Sequence, residues 1–153
     1  MSRPKTVLAL LAPLLLAGCG GNPADLTPEK AEEVQLQQVS QLLRDYQLNN
    51  NKAPKTLKDL AASSGSSPGA YELVSKGDVV VQLGAALPDT NEAPGGSPSE
   101  EVLAYVKKVP ESGGAVLLLN RTIRRMSADE FKSAKTAGET SSARPAGVPA
   151  KAK

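Results

Sequence analysis

Residues 27–51 read TPEKAEEVQLQQVSQLLRDYQLNNN, and the fold follows from them. Thr27 is a residue that caps helices, Pro28 suits a first helical position where no amide donor is needed, and Glu29 places a carboxylate at the positive end of the helix dipole. Val39, Leu42, Leu43 and Tyr46 recur at helical spacing, with Val34 and Leu36 one to two turns earlier, while Glu32, Glu33, Gln37, Gln41 and Arg44 face mostly elsewhere. One apolar stripe predicts a helix laid on a core. Asn49-Asn50-Asn51 and then Pro54 end it, because Asn tolerates the left-handed cap and Pro disfavours helix at the residue before it.

Downstream, Thr56-Leu57-Lys58-Asp59 opens a second, short helix with a partial capping box, which ends in the Ser63 to Gly69 segment. The period then changes. Tyr71 to Val74 and Val79 to Leu83 read as strands joined through Ser75-Lys76-Gly77-Asp78 as a hairpin. Gly84 to Ser99 is a long loop. Val102 to Val109 and Ala115 to Leu119 form a second hairpin around Pro110 to Gly114, and Asn120-Arg121 turns into a last strand, Thr122 to Met126. Ser127-Ala128-Asp129-Glu130 is a full capping box for a short helix through Phe131. The expected fold class is α+β: a long N-terminal helix packed on one face of an antiparallel sheet of about four to five strands, spanning residues 28–135. From Thr136 to Lys153 the chain is Ala, Ser, Pro, Gly and Lys without apolar periodicity, and is expected to be a disordered tail.

The 153 residues fit one domain, and with no Trp and only 3% aromatic residues the core must come from Val, Leu and Ala. Upstream of the helix stand a basic start, Arg3 and Lys5, an apolar run from Val7 to Leu16, and the small residues Ala17 and Gly18. About ten apolar residues are too few to span a bilayer, which takes roughly 20, so the run reads as an export leader, residues 1–18. Leu16-Ala17-Gly18-Cys19 resembles the lipobox of bacterial lipoproteins. That resemblance makes Cys19 the lipid attachment residue, residues 19–27 a lipidated tether, and the membrane the first partner. Cys19 is the sole cysteine, so an internal disulfide is excluded. Two or three acyl chains hold a protein on a membrane durably where one does so marginally. By the sorting rule of Gram-negative lipoproteins, Gly20 in place of Asp favours the outer membrane of the cell envelope.

Removing Arg3 and Lys5 with the leader leaves 16 basic against 16 acidic residues, which withdraws the electrostatic case for nucleic acid. The chain has no His, which excludes the commonest acid/base catalyst and metal ligand. The one Ser-x-x-Lys match, Ser2 to Lys5, falls in the leader. Glu32-Glu33, Glu100-Glu101 and Asp129-Glu130 are carboxylate pairs, but adjacent residues diverge on a helix or strand and read as solvated surface. Arg121, Arg124 and Arg125 form a basic cluster in which alternation puts Arg124 and Arg125 on opposite faces, favouring a solvated sheet edge over an anion site. No catalytic residue and no cofactor is expected.

The order of elements, Tyr46 near the end of the long helix, the stretch Ala53-Pro54-Lys55-Thr56-Leu57-Lys58-Asp59-Leu60, and the late hairpin from Gly114 to Arg124 resemble the globular part of type IV pilins and type II secretion pseudopilins. The resemblance implies a pilin-like head and a setting in a secretion or surface assembly. Major pseudopilins carry a calcium site in a loop of the sheet region, and Asp89, Asn91 and Glu92 bring oxygen ligands to the long loop here; the alternative is a plain polar loop without EF-hand spacing. Pilins begin with a continuous apolar helix that packs the filament, whereas this chain has a lipobox and a polar tether. The function these readings imply is a non-enzymatic envelope lipoprotein whose head contacts a protein partner. The alternative is small-ligand or cell-wall binding, suggested by the basic C-terminal region.

Overall fold

A computed structural model describes residues 27–88 and 90–138 of the chain. Helix α1 spans Pro28–Asn50. The Thr27 hydroxyl accepts the Lys30 N–H at 3.3 Å, and Asn51 stands in the left-handed conformation, φ 53°, donating its N–H to Gln47 O at 2.8 Å. Its buried side is Glu32, Leu36, Val39, Leu42, Leu43 and Tyr46. Helix α2, Leu57–Ala61, has the full reciprocal capping box between Thr56 and Asp59.

The first expected hairpin does not form: Tyr71 to Val74 lie in a helix, α3, Pro68–Ser75. A run this short reads alike in both periods, and Pro68 at the first helical turn decides for the helix, burying Ala70 and setting Leu73 and Val74 against the core. The glycine that suggested a hairpin loop ends this helix instead. Gly77 has φ 77°, its N–H reaches Val74 O at 3.1 Å and that of Asp78 reaches Leu73 O at 3.0 Å, the double bond of a Schellman cap.

The sheet therefore has four strands, β1 (Val79–Val81), β2 (Val102–Val106), β3 (Gly114–Leu118) and β4 (Ile123–Met126), in that spatial order and all antiparallel. β1 pairs with β2 across the long loop. A bulge between Val102 and Ala104 turns both Leu103 and Ala104 toward the α1 side. Val109, expected in the strand, starts the helical turn α4 (Val109–Ser112), and Gly113 follows it at φ 70°.

Both faces of the sheet are covered, where the sequence led us to expect one. Leu103, Ala104, Ala115 and Leu117 meet α1 and α3 on one side. Val102, Val116, Leu118 and Met126 form a second core on the other. Over that core lie Val109 of α4 and Phe131 of α5 (Ala128–Ser133), whose ring meets Tyr105 edge-on with centroids 4.6 Å apart. The Ser127–Glu130 capping box opens α5 as expected. The folded part also outruns the expected boundary at 135: Thr136 pairs in parallel with Val102, Ala137 donates its N–H to Val102 O at 2.9 Å, and Ala137 is buried. The remainder of the expected tail, 139–153, lies outside the described residues.

Candidate functional site

Cys19, Gly20 and the leader lie outside the described residues, and among the described residues no helix is long and apolar enough to cross a membrane. The first turns of α1 hold Glu32, the one buried acidic residue among the described residues, which is 6% exposed.

Glu32 was expected to face away from the core. Counting back from Tyr46 through Leu43, Val39 and Leu36 by alternating steps of three and four reaches position 32, so the core stripe itself places the acid inside. Its Oε1 lies 2.5 Å from Lys108 Nζ, between β2 and α4, and its Oε2 lies 3.1 Å from Arg125 Nη1 on β4. Oε2 also accepts the Ala115 N–H of β3 at 3.2 Å. Three elements of the sheet side thus meet one side chain of the helix. Burial pushes the carboxyl up, but Lys108, the Ala115 amide and Arg125 together outweigh it and hold Glu32 below its ordinary range. Gly114 leaves the room: a Cβ there would stand 3.1 Å from Glu32 Oε2. The arrangement ties the start of α1 to the sheet side by two ion pairs and one backbone hydrogen bond.

Of the other residues singled out in the sequence, Glu33 turns outward and pairs with Lys30 at 3.0 Å, so the adjacent acids diverge as expected. Arg124 and Arg125 also part as alternation requires, Arg125 to Glu32 and Arg124 toward Glu130 at 3.9 Å. Glu130 and Asp129 are exposed on α5, where Glu130 completes the cap. Glu101 keeps one buried oxygen, Oε2, without a hydrogen-bond partner among the described residues.

The long loop is strapped down by two arginines. Arg44 of α1 donates from Nε to Thr90 O at 2.6 Å, and Arg121, buried and at φ 66° in the β3–β4 turn, donates to Glu92 O. Gly95 N–H adds a bond to Asn120 O at 2.8 Å. Asp89, the first of the three oxygen-bearing candidates for calcium, lies outside the described residues, and among the described residues no group of three metal-ligating side chains gathers. A dication brought to the loop carbonyls of Thr90 and Glu92 would face the guanidinium groups already bonded there. The residues present do not fit calcium at those carbonyls.

No protein-family model matches the chain, and neither the curated proteins nor the solved structures give a match.

Proposed function

We propose that the chain is a lipid-anchored protein of the cell envelope, held through Cys19, that displays a pilin-like α+β head to a protein partner without enzymatic chemistry of its own. The observation that carries this reading is Leu16-Ala17-Gly18-Cys19 closing a short apolar run, with the folded head starting at Pro28. Residues 20–27, fully extended, reach about 28 Å, so the head sits near the bilayer surface. The pilin-like part is supported by a long helix lying on a four-stranded antiparallel sheet. Only one side of α1 is apolar, which fits a head attached by lipid in place of a continuous apolar helix. The clamp on Glu32 suits that role, since it joins the anchored end of α1 to the sheet.

The test is metabolic labelling with a clickable palmitate analogue in an expressing bacterium. The wild-type chain takes the label and sediments with membranes of outer-membrane density; Cys19→Ala loses the label and leaves the membrane fraction, and Gly20→Asp moves to the inner membrane. An unlabelled wild-type chain, or a label that survives Cys19→Ala, overturns the anchor. Crosslinked envelopes that yield no reproducible partner overturn the display role.

A further inference from the structure

Between the polar side of α1 and the strapped loop lies a cleft of about 340 Å³ that takes no part in the anchor or the Glu32 clamp. Gln37, Ser40 and Arg44 line it from α1, Pro94 from the loop, and Thr122 and Ile123 from the start of β4. These three parts of the chain are tied to one another by the Arg44–Thr90, Arg121–Glu92 and Gly95–Asn120 bonds. A cleft held in this way is preformed, so a ligand entering it orders little chain.

Its charge is one-sided. Lys30 and Glu33, also in the lining, stand 3.0 Å apart and offset each other. Arg44 uses Nε on a carbonyl, and no carboxylate among the described residues forms an ion pair with it. Its terminal amino groups keep their donors, in the fork geometry that matches a carboxylate. Beside it, Gln37 and Ser40 offer an amide and a hydroxyl, and Pro94 and Ile123 offer an apolar wall.

We infer that this cleft binds a small carboxylate-bearing ligand with hydroxyl or amide groups, the carboxylate on Arg44, the polar groups on Gln37, Ser40 and Thr122, and a methyl or ring face on Pro94 and Ile123. Two sources share that chemistry, an acidic amino sugar and a peptide C-terminus. The experiment titrates the full lipidated chain in detergent micelles by calorimetry with four probes: N-acetylmuramic acid, neutral N-acetylglucosamine, N-acetyl-Ala-Ala, and its C-terminal amide. One of the two acids binds saturably, and its neutral counterpart binds at least about tenfold more weakly, as does the acid to Arg44→Gln. Which acid binds names the source. Because Arg44→Gln also releases the loop, Ser40→Phe, which fills the cleft and leaves the Arg44–Thr90 bond in place, is the second variant and abolishes binding at unchanged Tm. The inference is overturned if neither acid binds up to about 20 mM, if a neutral probe equals its acid, or if Ser40→Phe binds as the wild type does.

Discussion

Glu32→Gln isolates the charge of the clamp, because the amide oxygen still accepts the Ala115 N–H. Both cations are about half exposed, 51% for Lys108 and 44% for Arg125, so water screens their end of each pair and about 1 kcal/mol per pair is the appropriate scale. With the amide oxygen kept on Ala115 and facing Arg125, the glutamine NH₂ turns toward Lys108 in a buried place. The expected loss is about 2 kcal/mol, or about 8 °C in Tm for a domain of this size. The pH dependence carries the sharper test. Since the folded carboxyl lies below its ordinary range, the unfolded chain takes up its proton first as pH falls, so the stabilisation is complete above about 4.3 and lost as pH drops through the lower folded value. The gap between wild type and Glu32→Gln therefore closes in acid. Lys108→Met with Arg125→Met does the reverse: it leaves a buried, unpaired carboxylate, costing about 3–5 kcal/mol at neutral pH, and burial now raises the pKa, so stability returns as pH falls. The assay is urea unfolding followed by circular dichroism between about pH 3 and 8, where other titrating groups cancel between variants. A gap that stays constant with pH, or a double variant that weakens further in acid, refutes the reasoning.

Two further outcomes test the backbone and the boundary. Gly113→Ala places a Cβ 2.7 Å from Met126 O at φ 70° and is expected to cost about 3 kcal/mol, whereas Gly77→Ala, at φ 77° with open space around it, costs about 1 kcal/mol; equal Tm losses would remove the clash as the cause. A chain ending at Ala134 loses the Lys135 O and Ala137 N–H bonds to Val102 and is expected to unfold at lower urea by about 2 kcal/mol, while one ending at Gly138 keeps both bonds; matching midpoints would show that the last residues contribute nothing.

The features legible in the sequence are those decided within one turn of chain. Thr27, Asn51, Thr56 with Asp59, and Ser127 with Glu130 bond to amides or carbonyls three or four residues away, so the residues alone marked these helix ends. The fold class followed, because one long apolar stripe and β-rich runs between turn residues leave few other arrangements. Tyr71 to Val74 reads as a strand because a run of four residues is too short to carry a period, and Gly77 serves a hairpin loop or a helix cap equally well. A signal for Glu32 was present in its place on the stripe, but its partners were not: Arg125 lies 93 residues away in sequence. The cleft was illegible for the same reason, since its walls meet only when Arg44 finds Thr90, 46 residues on. Helix caps are local chemistry, which the sequence determines by itself. Which charge is buried, whether both faces of the sheet are covered, and where polar groups converge depend on contacts between distant segments, and only the tertiary structure decides those.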